Sequence, residues 1–262
     1  MTFAVAGGGR VSASFIARLP RLAAELGPVA AQSFRLASRI VNSIGAGHPV
    51  RGYADLNDSA LILICSPASG VAAAVQALGE SIECRGKTIL LCDDGADSSR
   101  LASLRGKGAS VGSIQEIPGS EGYRFVAEGD RGAVREAKNL IRKIGGRAEE
   151  VEGHKMGLYS AGVSFGSTLL TPMLEASMQC FLDAGMSKPS AVKVVEALFQ
   201  NSVRSYAYAG KRSWVGALAR ADLSAVQREI EGLTRSKPVL GQYYRQSIAL
   251  AAGVMGSAKK RR

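Results

Sequence analysis

The chain has 262 residues, of which 46% are hydrophobic and 21% are charged, and its formal net charge at pH 7 is +11. This composition is typical of a globular protein, and the length allows two domains. The basic charge alone could indicate nucleic-acid binding, but no helix concentrates arginines on one face and aromatic residues do not alternate with basic ones. We therefore do not expect a nucleic-acid partner and expect a basic surface around a site for anionic small molecules.

The first half of the chain begins with a strand, a glycine turn and a helix. The apolar run 3–6 is followed by Gly7-Gly8-Gly9, and a helical pattern starts at Arg10. Gly7 would permit the tight turn, and Gly9 would let the backbone approach a pyrophosphate at the helix N-terminus. Ser12 stands where the usual fingerprint has its third glycine. The alternative is an ordinary strand–helix turn without a ligand.

Short apolar runs then alternate with helical patterns, which predicts a parallel sheet covered by helices. Further strands are expected at 29–33, 53–56, 60–65, 87–92, 109–113, 123–127 and 147–151. Helices are expected from residue 11 to Gly27-Pro28 with a kink at Pro20, and at 36–44, 70–82, 101–105 and 131–144, the last capped by Asp130.

The same half carries the features that bear on cellular location. The apolar stretch 60–78 is interrupted by Ser66-Pro67-Ala68-Ser69-Gly70, so it predicts a strand, a turn and a helix rather than a membrane span. The N-terminus enters a strand directly and lacks the pattern of a signal peptide. No C-x-x-C spacing relates the four cysteines, so we expect reduced thiols and a cytoplasmic protein.

After residue 151 the strand patterns end and long helical stretches follow. These are expected at 155–184, with a kink at Thr171-Pro172, and at 187–200, 222–233 and 238–254. The sequence thus predicts an α/β fold with two domains. Residues 1–152 would form an NAD(P)-binding domain with a Rossmann-type parallel sheet, and residues 153–262 an all-helical domain.

The end of the second predicted strand bears on the choice of cofactor, since it meets the adenosine ribose in dinucleotide-binding folds. Ser33 and Arg35 stand there, with Ser38 and Arg39 beyond them, and no acidic residue lies between Glu25 and Asp55. A guanidinium suits a 2′-phosphate, so we expect NADP, with NAD possible. The alternative is that Arg35 and Arg39 form a solvated helix face.

With four short segments in the same order along the chain, this sequence resembles the Rossmann-like proteins that carry a DUF2520 helical domain. That family is related to pyrroline-5-carboxylate reductase and to the 6-phosphogluconate dehydrogenase group. The four segments are Gly7-Gly8-Gly9-Arg10-Val11, the turn Ser66-Pro67, Lys155-x-x-x-Tyr159-Ser160-Ala161-Gly162, and Gly216-Ala217-Leu218-Ala219-Arg220-Ala221-Asp222. The resemblance implies an N-terminal NAD(P) domain, a helical domain that forms homodimers, and a substrate cleft between the domains. Ser66 and Pro67 would border the nicotinamide half of the bound dinucleotide. The alternative is that they form only a turn and the cap of the next helix.

The chain departs from this family at several polar positions. The family usually has Gly-Pro-x-x-Arg-Gly-Asp before a helix, and here Ala217 and Ala221 replace the proline and the second glycine. Ser160 stands in place of a histidine, and Ser167 lies near the place of an asparagine. Gln115-Glu116 and Glu229 stand where the family has further histidines, so the imidazoles that could act as general acid are missing.

The candidates for chemistry near the predicted domain junction are Lys155, Tyr159, Ser160, Arg220 and Asp222. Burial in a cleft could lower the pKa of Lys155 and let it act as an acid or base. Arg220 and Asp222 could clamp an anionic substrate, although Asp222 could equally cap the next helix with Arg220 paired to it. Two distant histidines and four unspaced cysteines make no plausible zinc site.

Two functions fit these observations. The first is an NADP-dependent oxidoreductase that acts on a small anionic substrate in the interdomain cleft. The second is a non-catalytic nucleotide-binding or sensing protein that keeps the fold and lacks the acid–base residues.

Overall fold

A computed structural model describes residues 2–7, 16, 20–92, 96–117, 119 and 122–256. The chain divides into two compact units, Met1–Val163 and Ser164–Arg262. The change in sequence pattern at residue 151 lies before this division.

The first unit is built on one sheet of eight strands. They are β1 (Phe3–Ala6), β2 (Leu26–Ala30), β3 (His48–Pro49), β4 (Leu61–Ile64), β5 (Thr88–Cys92), β6 (Ser110–Glu116), β7 (Arg124–Gly129) and β8 (Arg147–Glu150). Their order is β3-β2-β1-β4-β5-β6-β7-β8. All neighbours are parallel except β6 and β7, which are antiparallel. The predicted α/β sheet is confirmed, with this one exception.

The exception at β6 and β7 follows from the length of their connection. Only residues 117–123 join the two strands, which is enough for a hairpin but too short for the helical crossover that parallel neighbours need. Every other connection between parallel neighbours has room to cross over. The predicted parallel sheet therefore contains one antiparallel pair, at this connection.

Helices lie on both faces of the sheet. In the described part of the first unit these are α1 (Pro20–Ala24), α2 (Phe34–Ile44), α3 (Ala68–Ser81), α4 (Ala102–Gly106), α5 (Arg131–Lys143) and α6 (Met156–Gly166), which runs just past the unit's end. Short 3-10 helices form at Tyr53–Leu56, Ser98–Leu101 and Gly153–Lys155.

Alternate residues of each strand face two separate apolar layers. On one face Val5, Leu63 and Leu90 pack with residues of α2 and α5. On the other face Ile64 and Leu91 pack with residues of α3 and α4. A sheet buried on both faces explains the continuous apolar runs that made the strands visible in the sequence.

Two assignments in the first unit are corrected by the structure. Gly27 and Pro28 do not end a helix but lie within β2, which starts earlier than predicted, and a turn at Glu25 separates it from α1. Proline is accommodated there because the pairing of β1 with β2 is irregular at this point: Phe3 pairs with Leu26 and Val5 with Val29, which leaves an extra residue in β2. Residues 53–56 form a 3-10 helix instead of a strand, since Asp55 accepts hydrogen bonds from the backbone of Arg51 and Gly52.

The second unit is helical, as predicted. Its helices are α7 (Leu170–Asp183), α8 (Lys188–Ala209), α9 (Leu223–Ser236) and α10 (Pro238–Gly256), with a 3-10 helix at Gly210–Ser213. The predicted kink at Thr171-Pro172 is a complete break, so α6 and α7 are separate helices. Pro172 occupies the first turn of α7, where its missing N–H leaves no helical hydrogen bond unmade.

Of the described helices, none combines the length and the apolar character needed to cross a lipid bilayer.

Candidate functional site

The strand order reverses at β1, which has β2 on one side and β4 on the other. In open parallel sheets such a reversal leaves a crevice outside the carboxyl ends of the strands, and ligands bind there. Gly7 directly follows β1, and Ser66 follows β4 after Cys65. The candidate site therefore lies at the carboxyl edge of β1 and β4.

Gly7 has a backbone conformation and a neighbour that both require glycine. Its φ is 104°, in a region that side chains with a Cβ rarely adopt. A Cβ on Gly7 would lie 2.3 Å from Ser66 Oγ and 3.3 Å from the Cys65 carbonyl oxygen. The Gly7 N–H donates to the Ala30 carbonyl at 3.1 Å, which holds the turn against the end of β2.

The rest of the predicted phosphate turn, Gly8, Gly9, Arg10 and Val11 together with Ser12, lies outside the described residues.

Ser33 and Arg35 also lie beyond the carboxyl end of a strand, in this case β2. Ser33 is the N-cap of α2, and its Oγ accepts a hydrogen bond from the Leu36 N–H at 3.3 Å. Arg35 and Arg39 are exposed. Within the described part of the chain, neither guanidinium forms an ion pair. Both are therefore available to an anion in solution, while the Ser33 hydroxyl also stabilises the helix.

Ser66 and Pro67 form the connection between β4 and α3. Ser66 is buried, with 3% of its surface exposed, whereas Pro67 is exposed and occupies the N-cap position of α3. The Pro67 carbonyl accepts a hydrogen bond from the Gly70 N–H at 2.7 Å. The structure thus brings Ser66 against Gly7, and Pro67 starts the helix.

Lys155 lies in the 3-10 helix before α6 and is half-exposed. Its Nζ donates to Glu152 Oε1 at 2.6 Å, and His154 Nε2 lies 3.5 Å from Glu152 Oε2. The hydrogen bond and the charge of Lys155 lower the pKa of Glu152. Lys155 is thus paired at the surface of the first unit and not buried there.

Tyr159 and Ser160 follow on α6, where Tyr159 is half-buried and Ser160 is exposed. They belong, like Lys155, to the first unit, whereas Arg220 and Asp222 belong to the second.

Asp222 is the N-cap of α9. Its Oδ1 accepts hydrogen bonds from the Ala225 N–H at 3.0 Å and from the Ser224 hydroxyl at 2.9 Å. These bonds, the one from Ala225 first, lower the pKa of Asp222, and Arg220 adds only a weaker attraction. The capping role weighed from the sequence is present, but in the described residues Arg220 makes no ion pair with Asp222.

One polar cluster was missed by sequence reasoning. Glu128 on β7 is 1% exposed, and its carboxylate accepts hydrogen bonds from the N–H and the hydroxyl of Ser98, at 2.6 and 2.9 Å. Gln115 on β6 is also buried and donates to the Ala96 carbonyl at 3.1 Å. The only signal in the sequence was a glutamate at the end of the apolar run Phe125-Val126-Ala127.

No group of three or more histidine, cysteine, aspartate or glutamate side chains that could hold a metal ion occurs in the ranges covered by the structure.

Comparison with known proteins identifies one family and many similar folds. Residues 123–250 match the family described as "Domain of unknown function (DUF2520)", which confirms the resemblance seen in the sequence. No curated protein sequence matches the chain significantly.

Three solved structures illustrate the similarity of fold. Protein TM1727 from Thermotoga maritima is 14% identical, with 99% of this chain and 100% of that chain covered and a TM-score of 0.72. The imine reductase from Myxococcus stipitatus in complex with NADP+ is 14% identical, with 99% and 94% covered and a TM-score of 0.65. A pyrroline-5-carboxylate reductase from Coxiella burnetii is 12% identical, with 99% of each chain covered and a TM-score of 0.58. At these identities the similarity shows the fold alone.

Proposed function

Because residues 123–250 of this chain carry the DUF2520 domain, and the residues before them form most of a Rossmann-type sheet, we propose that the protein is an NADP-dependent oxidoreductase acting on a small anionic substrate. Its two domains would be residues 1–152 for the cofactor and residues 153–262 for the substrate and for dimerisation. The observation that carries the proposal is the conformation of Gly7 against Ser66 at the reversal of strand order.

The residues at this edge fit a dinucleotide. Because Gly7 has no Cβ, the turn after β1 can pack against Ser66, whose Oγ lies 2.3 Å from the position a Cβ would take, and the two segments that would flank a dinucleotide lie side by side. Gly7 to Val11 would hold the pyrophosphate, and Ser66 and Pro67 would border the nicotinamide. When bound, the nicotinamide supplies hydride transfer, which no side chain of this protein can perform.

Arg35 supports NADP over NAD. A guanidinium forms bidentate, charge-assisted hydrogen bonds to a phosphate, and Arg35 lies exposed beyond the end of β2. No carboxylate stands in the corresponding segment to accept the 2′-hydroxyl of NAD. The imine reductase of Myxococcus stipitatus has been solved with NADP+ and, as a variant, with NAD+, so either nucleotide is compatible with this fold.

The proton needed at the substrate heteroatom would come from Lys155, Tyr159 or Ser160, and Arg220 and Asp222 would hold the anionic group. Arg220 is exposed and can attract a carboxylate or phosphate. Asp222 would act by positioning, since its carboxylate fixes the start of α9 behind Arg220.

A non-catalytic nucleotide-binding protein is the second candidate, and one observation favours it. Lys155 is paired with Glu152 at the surface and is not buried, so the low-dielectric environment that would prepare it for acid–base work is absent from its described surroundings. Together with the missing family histidines, this would leave a protein that binds the nucleotide without turnover.

Two further properties belong to the proposal. None of the four cysteines, all of which the structure describes, forms a disulfide, in keeping with a cytoplasmic protein. Many apolar side chains of the helical unit are exposed, which supports a homodimer through this unit.

The experiment is a calorimetric comparison of NADPH and NADH binding to the wild type and to Arg35→Ala. Loss of a charge-assisted contact of about 1.5–3 kcal/mol should weaken NADPH binding roughly 10- to 100-fold and leave NADH unchanged. Arg85→Ala is the matched control, because Arg85 is exposed before β5, at the opposite edge of the sheet. It should bind both nucleotides as the wild type does.

Equal affinity of the wild type for both nucleotides would remove the role given to Arg35, and no binding of either would overturn the oxidoreductase. If NADPH binds, its absorbance during incubation with keto acids and with imines separates the two candidates. Oxidation of NADPH supports the enzyme, and binding without oxidation supports the nucleotide-binding protein.

A further inference from the structure

The helical unit contains a groove of about 850 Å³ that the proposed function does not use. It lies among α7, α8, α9 and α10, and its walls are mainly apolar: Met173, Phe181, Leu198, Leu233 and Leu240. A volume of this size is within the range of sites for small organic molecules.

One carboxylate stands in this groove. Of the described residues that line it, Glu229 of α9 is the only one with a charged side chain. Glu229 is exposed, and its Oε2 accepts a hydrogen bond from the Tyr244 hydroxyl of α10. The second oxygen, Oε1, remains available to another donor.

Tyr244 fixes the direction of this carboxylate. Burial, followed by the hydrogen bond and the charge of Glu229, raises the pKa of Tyr244 to about 12. The phenol is therefore protonated at neutral pH and donates to Glu229, which places a negative charge at the apolar wall.

Among the residues that the structure describes, no lysine or arginine forms an ion pair with Glu229. Arg228 and Arg245, the sequence neighbours of Glu229 and Tyr244, do not line the groove. Lys237 borders an adjoining cavity of about 210 Å³, where its Nζ lies 3.2 Å from Asp183 Oδ1. A ligand of the groove thus meets apolar side chains and one carboxylate that no described cation pairs with.

We propose that this groove is a binding site for a small amphipathic cation, an amine with an apolar body, whose ammonium group pairs with Glu229 while the body contacts the apolar walls. The charge complementarity selects an amine over a carboxylic acid of the same shape. The apolar walls select it over a small hydrophilic cation.

The test uses three probes of equal chain length on the full protein: hexylamine, hexanol and hexanoate. Calorimetry should show binding of hexylamine, weaker binding of hexanol and none of hexanoate. Glu229→Gln keeps an acceptor for the Tyr244 hydroxyl but removes the charge. It should weaken hexylamine binding about tenfold or more and change hexanol binding little.

Glu231→Gln is the matched control, because Glu231 lies on the same helix, outside the groove, and accepts a hydrogen bond from Gln227. It should bind hexylamine as the wild type does. Ser177→Trp, which fills the groove with an indole, should abolish binding of every probe.

Equal affinity for hexylamine and hexanoate would overturn the proposal, and so would an unchanged hexylamine affinity in Glu229→Gln. Failure of the wild type to bind hexylamine would overturn it as well. If the wild type does not bind hexylamine and Ser177→Trp changes a dimer to a monomer in sedimentation, the occupant of the groove is a second copy of the chain. None of these outcomes depends on nucleotide binding, so they are distinct from failure of the proposed oxidoreductase.

Discussion

Ala221 illustrates at the scale of one residue how a sequence departure becomes a physical cost. Its φ is 56°. All other described residues with a positive φ are glycines. The related family usually has glycine at this position, and the structure supplies the reason, because a Cβ in the left-handed region is disfavoured by about 1–2 kcal/mol. The strain lies between Arg220 and Asp222, the two residues proposed to hold an anionic group.

We expect Ala221→Gly to stabilise the helical unit. Removing the left-handed strain stabilises the folded state by more than the greater conformational freedom of glycine stabilises the unfolded state. The free energy of unfolding should therefore rise by about 0.5–1 kcal/mol. Chemical denaturation of the purified protein, followed by helical circular dichroism, measures this change. The control is Ala197→Gly in the middle of α8, where the same substitution should destabilise by about 1 kcal/mol. Destabilisation by both substitutions would contradict the strain at Ala221.

At the scale of elements, the start of α9 depends on a single carboxylate. Asp222 caps the helix through Ala225 and Ser224, and these hydrogen bonds hold its pKa below the ordinary value. A carboxyl group whose folded-state pKa is depressed stabilises the fold above its unfolded pKa, and this stabilisation is lost as the pH falls through the folded value.

We therefore expect Asp222→Ala to lower the melting temperature of the helical unit by a few degrees at neutral pH. The difference from the wild type should shrink as the pH falls below the ordinary aspartate pKa of about 3.9, because the wild-type carboxyl group becomes protonated as the pH passes through its depressed folded value. Asp222→Asn is the control, since asparagine caps without titrating. Its advantage over alanine should not change with pH. A wild-type advantage over alanine that persists in acid would show that the charge of Asp222 does not stabilise α9.

At the scale of the whole molecule, the helical unit leaves a large apolar surface exposed. Tyr208 is 94% exposed, Val239 77% and Leu250 72%. Few residues of this unit are buried; in its four helices they are Ala191, Val195, Val226 and Gly241. A unit with so small a core and so much exposed apolar surface is expected to gain stability from a partner.

We predict that the protein is a dimer at micromolar concentration and that Leu250→Glu shifts it towards monomer. A buried glutamate without a partner opposes association, since its charge would lose hydration. Sedimentation velocity over a range of concentrations measures the equilibrium. Gln242→Glu is the control, because it adds the same charge at an exposed polar position of α10. Wild-type protein that stays monomeric at all concentrations would refute the dimer.

Most strands and helices, in their order along the chain, could be predicted from the sequence, as could the turn at Gly7. Strands buried on both faces of a sheet are recognisable because they appear as continuous apolar runs, such as Leu61–Ile64 and Thr88–Cys92. Helices are recognisable because their apolar residues recur every three or four positions. The DUF2520 resemblance was likewise recognisable from short motifs.

Features that depend on residues far apart in the chain could be found only in the folded structure. The antiparallel pairing of β7, the assignment of Gly27 and Pro28 to β2, and the contact of Gly7 with Ser66 all arise when distant segments meet. The pairing of Glu229 with Tyr244 and the burial of Glu128 against Ser98 are of the same kind. A local pattern carries no information about such partners, because hydrogen bonding and burial are set by the neighbours that folding brings together.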